Sequence, residues 1–525
     1  MVDIVQPNPR PSPRIRATAM QGMLWLGGQR VAARALDQLF TIFLVRMLLP
    51  RDYGLIALAW IVVGFLEMFL EASGGSAIIQ RRDVDDEYLS TAFWTSLAVG
   101  TGLFAISFVS APLLGGFLTE PLAGTVLLVL SFRVLVSSTW STHAALATRR
   151  MNYRGLALVD AASVLVGGLT GLGVALAGMG VWSLVAKALA ASATGTVGYY
   201  LATRWRPSWR FSWAKFKDVW SFSTPLTVSR LFGHLVRNLD NLLIGRFLGS
   251  AALGYYALAY TAFRIPLQDV AAPLHQVMLS AFSRVQDDTA RLKRGFLVAT
   301  QHVAIIALPV MVGLALVAPS LVEVVFGAKW LPSAPVIRVL ALAGMFQLVT
   351  TLWFSGLLAA GRPDLQLRWA ALSVVLYLPA FAVGLRWGIV GVAAGYFAAT
   401  AILVPVQFGF VARVLGVTVG EVLSAVKSSL LGCAVMATAV TLLDRALTGA
   451  GAAALAILVL DVALGVGVYS AVMLLTERRV VLALFDMIRE ATGRRHGHRV
   501  DETRPQSAAF TAGSPRYGGF GQDGD

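Results

Sequence analysis

Apolar stretches of about 20 residues recur along almost the whole chain, and no other feature limits its fold as strongly. Each is long enough to cross roughly 30 Å of hydrocarbon as a helix. A helix also satisfies its own backbone hydrogen bonds where no water is present to do so. The composition agrees: 57% of the 525 residues are hydrophobic and 14% charged, where a soluble domain carries about 25% charged residues. The expected fold class is an all-α polytopic membrane protein.

Fourteen spans are expected, at roughly 24–48, 53–78, 89–111, 122–146, 156–177, 181–203, 221–247, 252–279, 295–318, 335–359, 367–385, 389–411, 427–443 and 454–475. The first and seventh are the least apolar. With the N-terminus inside, connections on that side hold 29 Lys and Arg and those on the other side four, Arg51, Lys329, Arg386 and Arg445. Such asymmetry marks cytoplasmic loops. Both termini are therefore expected in the cytoplasm.

The net charge of +15 accordingly reflects short basic loops, and nucleic acid is not an expected partner. The start, "MVDIVQPNPRPSPRIR", is proline-rich and basic and makes a poor cleavable signal, so the first span is expected to serve as an uncleaved one. The single cysteine, Cys433, excludes an intrachain disulfide. The longest connections run to about fifteen residues, too short for an extramembrane catalytic domain. From about Arg494 the chain is polar and Gly-rich, a disordered tail by composition, and its His496 and His498 are incidental rather than metal ligands.

One short segment recurs. "VRMLLPRDYGLIALAW" (45–60) returns as "GRFLGSAALGYYALAY" (245–260), with Arg46/Arg246, Leu48/Leu248, Gly54/Gly254 and an Ala-Leu-Ala run in register. The offset of two hundred predicts two lobes of six helices, each opening with the same hairpin, related by a pseudo-axis along the membrane normal. The expected divisions are a disordered N-tail (1–20), an N-lobe (21–205), a cytoplasmic linker (206–220), a C-lobe (221–412), two extra helices (413–480) and a C-tail (481–525). Arg46 and Arg246 are expected to snorkel at the outer interface. Gly54 and Gly254 are expected to permit close helix packing.

The same offset aligns two polar stripes. Arg30, Arg34, Asp37 and Thr41 are spaced by four, three and four, which places them within about a 60° arc of one helix. Their counterparts are Arg230, His234, Arg237 and Asn241. By helix rise Arg30 lies about 9 Å, and Asp37 about 20 Å, from the start of the first span. Charge at such depth costs about 2.5–3.5 kcal/mol and normally faces a protein-lined cavity. Four arginines and a histidine against one aspartate suit an anion, and arginine's planar fork suits a pyrophosphate. The alternative is structural, with the outer arginines snorkelling and Arg34 pairing with Asp37.

Glu67 and Glu71 share a face and can carry a coupling proton or form an ion pair. Arg133, Asp160, Lys187, Arg264, Asp269 and Asp461 are expected at helix ends or helix contacts. His143, His275 and His302 have no metal-ligand spacing, and neither a metal nor a cofactor is expected.

The stretches "LVRMLLPRDYGLIALA", "SGGSAIIQRRDVDDEYLSTAFW", "MNYRGLALVD", "FSRVQDDTARLKRGF" and "VVFGAKWLPSAPVIRVLAL" follow in order between about 20 and 410. In them the chain resembles the Wzx-type polysaccharide flippases of the multidrug/oligosaccharidyl-lipid/polysaccharide (MOP) exporter superfamily, especially colanic-acid-exporter-like members. The resemblance implies a V-shaped fold of two six-helix bundles. It also implies transport, by alternating access, of an oligosaccharide repeat unit on undecaprenyl pyrophosphate across the bacterial cytoplasmic membrane, for exopolysaccharide, capsule or O-antigen synthesis. Arg30, Arg34, Arg230 and Arg237 are, by position, the residues that would meet the pyrophosphate. The partners implied are the lipid-linked oligosaccharide, membrane lipids, a polymerase and chain-length or export machinery, with the transporter itself a monomer and not an enzyme.

Three other functions compete. A multidrug or cation antiporter of the same superfamily needs an acidic cavity. A membrane polymerase or glycosyltransferase needs a large outer loop or an acidic motif for a metal–sugar nucleotide, and "RRDVDDE" offers only Asp83 and Asp85 in a basic loop. A scramblase or scaffold needs no cavity charge.

Overall fold

The computed structural model describes residues 32–71, 75–81, 83–117, 120–266, 288–359, 362–478 and 480. Arg30, Asp269, His275 and both expected tails lie outside them, as do the side chains of Arg230 and Glu71 within their helices.

The apolar stretches are helices. They run α1 (32–47), α2 (Pro50–Glu71), α3 (Gly75–Gln80), α4 (Asp86–Phe117), α5 (Pro121–Arg149), α6 (Tyr153–Leu176), α7 (Trp182–Thr203), α8 (Trp213–Phe247) and α9 (Gly249–Pro266). The second half continues with α10 (Thr289–Val325), a 3-10 turn (Ala328–Ser333), α11 (Ala334–Ala359), α12 (Pro363–Gly384), α13 (Gly388–Leu415), α14 (Val419–Gly449) and α15 (Ala454–Thr476). Local chemistry sets several starts. Pro50 and Pro121 open α2 and α5, where a missing N–H costs no intrahelical bond. The Asn152 side chain caps α6 at 3.1 Å from the Gly155 amide. Thr418 and Glu421 form a capping box on α14.

Nine segments of the described residues, not fourteen, are long and apolar enough to cross a membrane. One of them, Arg368–Leu415, runs through both α12 and α13, which turn at Gly388 with φ +68°. Helices α1, α7, α8 and α9 account for the shortfall. Only 16 residues of α1 are described, and α9 is described only to Pro266; α7, α8 and α9 also carry polar and charged residues toward the cavity, which dilute their apolarity. The fold is an all-α two-lobe arrangement. In the first half α5 packs on α2, α4 and α7; in the second α11 packs on α10 and α13. Helix α2 crosses to α8 and α9, and α14 and α15 pack on each other and on α10.

Polar contacts gather at two ends. At one end Arg46 donates through Nε to the Val325 carbonyl at 2.8 Å and also to Val324, while Lys329 and Trp330 donate to the carbonyls of Arg46 and Val45 at 2.7 and 3.0 Å. Arg46 therefore does more than snorkel: it ties the α1–α2 turn to the end of α10. Nearby, Glu120 pairs with Arg51 at 2.8 Å and accepts from Ser250 at 2.6 Å. At the other end Lys215 bridges Asp85 and Glu87 at 2.5 and 2.7 Å, Arg81 pairs with Asp218, and Trp205 donates to Asp86 at 2.6 Å. The first group comes from connections assigned outside by charge and the second from those assigned inside. The expected linker 206–220 is helical from Trp213 onward and is fastened to the start of α4.

The repeated segments meet each other. A methyl group on Gly54 would overlap the carbonyl oxygen of Ser250, and one on Gly254 would overlap that of Pro50. Position 54 thus meets 250 as 254 meets 50, the reciprocal pattern of a two-fold contact. Two helices approach this closely only where side chains are absent.

Candidate functional site

Between the lobes lies a cavity of about 1070 Å³, at or above the upper end for small-ligand pockets, about 1,000 Å³. Asp37 and Thr41 of the first stripe line it, as do His234, Arg237 and Asn241 of the second. Arg34 is described and exposed but is not part of the lining. Arg30 and the Arg230 side chain lie outside the described residues. Five lining pairs obey the offset of two hundred: Asp37/Arg237, Thr41/Asn241, Ala57/Ala257, Trp60/Tyr260 and Ile61/Thr261. The cavity therefore lies on the pseudo-axis, and both lobes present equivalent wall positions to it.

The sequence stripes miss part of the lining. Arg133, Lys187 and Arg264, expected at helix ends or contacts, also line the cavity. Lys187 reaches Asp37 at 2.8 Å and donates to Thr41 at 3.2 Å. Arg133 pairs with Glu67 at 2.7 Å and lies over the Trp60 ring at 5.1 Å. Two of the cations are therefore already neutralised by carboxylates, while no carboxylate among the described residues pairs with Arg237. Of the two readings of Glu67, the ion pair is the one seen; which distant cation it meets was not marked, because a single charge in an apolar helix does not reveal its partner.

The second stripe is held from behind. His234 Nε2 lies 2.9 Å from the Ile61 carbonyl, so that nitrogen carries the proton, and Asn238 donates to the His234 carbonyl at 2.9 Å. Asp240 is buried away from the cavity, accepting from Tyr256 and from the Asn241 amide, both at 2.8 Å. The Asn241 side-chain oxygen is buried with no donor among the described residues. In the same half of the chain Gln347 donates to Tyr396.

The remaining polar candidates lie elsewhere. His143 is buried and stacks on Tyr200 at 3.8 Å, and His302 Nδ1 lies 2.7 Å from the Val298 carbonyl. Asp160 accepts from Tyr199 at 3.0 Å. Asp461 lines a separate apolar pocket of about 540 Å³ beside α10, α14 and α15. Asp85 is bound to Lys215, and Asp83 is exposed. Among the described residues no group of three or more His, Cys, Asp or Glu is placed to hold a metal.

Known proteins are similar to this chain in sequence and in fold. The chain is 30% identical over 316 residues to the teichuronic acid biosynthesis protein TuaB of Bacillus subtilis, covering 60% of this chain and 65% of that protein. It is 26% identical over 389 residues to the lipopolysaccharide biosynthesis protein WzxC of Escherichia coli, covering 73% and 78%. It thus spans somewhat under two thirds of TuaB's length and somewhat more of WzxC's. In fold it is similar to the lipid II flippase MurJ in an inward closed conformation, with a TM-score of 0.70 and 14% identity over 87% of this chain and all of that one. It is also similar to an inward-facing multidrug resistance MATE transporter of the MOP superfamily, at 0.56 and 16% over 73% and 94%. Residues 43–335 match the family model described as a polysaccharide biosynthesis protein, more than half of the chain, and the chain belongs to that family.

Proposed function

We propose that the chain is a Wzx-type flippase that carries an undecaprenyl-pyrophosphate-linked oligosaccharide repeat unit across the bacterial cytoplasmic membrane by alternating access, with both termini in the cytoplasm. The observation that carries this reading is the cavity between the lobes, where Arg237 meets no carboxylate among the described residues and Arg264 also lines the wall, while Arg133 and Lys187 are matched by Glu67 and Asp37, so the balance stays basic. A lipid-linked pyrophosphate needs a basic pocket for its head, a polar space for its sugars and a lateral way out for its tail. A two-lobed transporter supplies all three, and no bond is broken. The names of TuaB and WzxC, both polysaccharide biosynthesis proteins, support the substrate class. A cation antiporter of the same fold would want the opposite charge balance.

In the proposed cycle Arg237 binds the pyrophosphate, joined by Arg30, Arg34 and Arg230 from the two stripes, while Asp37, Thr41, His234 and Asn241 line the passage. The transporter acts as a monomer that hands its cargo to a polymerase and export machinery. Replacing each arginine with alanine and measuring surface polysaccharide at normal protein levels tests the assignment. A charge-assisted bond of roughly 1.5–3 kcal/mol predicts at least about a tenfold loss for Arg237→Ala. Full export from all four variants would sink the proposal.

A further inference from the structure

The cavity is larger than a pyrophosphate requires, and much of its wall is not charged. Where the lobes face each other at the offset of two hundred, one pair is aromatic: Trp60 from α2 and Tyr260 from α9. Each ring is held by its neighbours. Trp60 carries Arg133 over it at 5.1 Å, and Glu67 holds that arginine at 2.7 Å. Tyr260 stacks near Tyr256 with ring centroids 6.4 Å apart and meets Phe263 edge-on at 5.7 Å. Rings with few torsions, held by packing, contact a ligand at little entropic cost.

Around this pair the lining supplies amides rather than charges: Asn238, Asn241 and Gln347. Flat apolar rings bordered by amide donors and acceptors complement one class of ligand in particular, the pyranose, with its apolar C–H face and its rim of hydroxyls. Of the lining cations, Arg133 and Lys187 are already paired with Glu67 and Asp37, while Arg237 and Arg264 lie near Tyr260, where the platform adjoins the anion site.

We propose that Trp60 and Tyr260 form a two-sided platform, one ring from each lobe, that binds a pyranose of the cargo, with the amide side chains of the lining bordering the sugar's hydroxyl rim. The inference rests on the flippase reading and assigns a different part of the same cavity from the pyrophosphate site. Because the two rings belong to different lobes, the sugar is gripped only while the lobes are apposed.

The test uses the full chain in lipid nanodiscs with two probes, undecaprenyl pyrophosphate without sugar and an undecaprenyl-pyrophosphate-linked oligosaccharide. Leucine in place of either ring keeps apolar bulk without the flat face, and phenylalanine restores a ring. Trp60→Leu and Tyr260→Leu are each expected to weaken binding of the sugar-bearing lipid by about five- to tenfold, the scale of an aromatic contact. The sugar-free lipid should bind as before, and Trp60→Phe and Tyr260→Phe should recover most of the loss. Equal losses for both lipids, or no loss for either, overturn the platform while leaving the flippase reading in place. A wild-type chain that binds neither lipid better than plain polyprenol overturns both.

Discussion

Lys187 and Asp37 form an ion pair that both lines the cavity and ties two of its helices together. Lys187 is the more buried partner, with its side chain 18% exposed against 43% for Asp37, and it also fixes Thr41. Removing the ammonium leaves a carboxylate facing the cavity alone. Lys187→Ala should therefore cost about 1–2 kcal/mol, between exposed and fully buried pairs. Removing Asp37 as well should return part of that loss. Thermal unfolding in detergent would read this as a lower Tm for the single variant than for the double. A double variant as unstable as the sum of its singles would show that the pair is not coupled.

The same residues show what the sequence made legible. Five stripe positions, 37, 41, 234, 237 and 241, lie on the cavity wall and were visible because helical spacing and an internal repeat both pointed to them. Arg133 and Lys187 were visible only as isolated charges, since their partners lie 66 and 150 residues away and no local pattern connects them. Trp60 and Tyr260 closed each copy of the quoted repeat, yet an aromatic residue at a helix position carries no sign of whether it faces lipid, core or cavity.

Among the elements, α2 and α9 make the decisive contact. Their first turns touch backbone to backbone at Gly54 and Gly254, against carbonyls that cannot rotate away. Gly54→Ala should therefore separate the helices rather than be absorbed by a side-chain shift. Leu253, fully buried beside this contact, provides the report. With Cys433 replaced by serine and Leu253 by cysteine, a membrane-impermeant maleimide should label the Gly54→Ala variant several-fold faster than its parent. Gly102→Ala, where the added methyl meets nothing within 4 Å, serves as the control and should leave labelling unchanged. Equal labelling of all three would show that the glycines do not hold this end shut. Helix positions were the most legible part of the fold, because about twenty apolar residues leave few alternatives. The number of spans was not, since the helices that build the cavity have the polar residues that disguise a span.

For the whole molecule, the two ends are held by different balances of contact. The end bearing the repeated turns combines close packing and carbonyl acceptors with one ion pair, Arg51–Glu120, and the other adds ion pairs between the linker and the start of α4. Lys215 beside Asp85 holds that carboxyl below the ordinary carboxylate range. A lowered value means the contribution is fully present above about pH 4, the ordinary carboxylate value, and is lost as pH falls through the lowered one. Hydrogen exchange across 206–220, corrected for intrinsic rate, should thus stay constant from pH 8 to 6 and rise in acid below about pH 4. Lys215→Met should raise it at neutral pH as well. Exchange in the wild type that rises steadily from pH 8 downward would assign the clasp to other groups.

The reciprocal glycine contact also has a kinetic meaning. Two equivalent contacts placed across one axis share a single coordinate, so a rotation of the lobes that breaks one breaks its twin at the same instant. Such a closure has no half-released form in which one side holds while the other has let go. In the proposed transport cycle the passage at that end would behave as a latch with two positions, and a cargo inside it would meet either a shut wall or an open one.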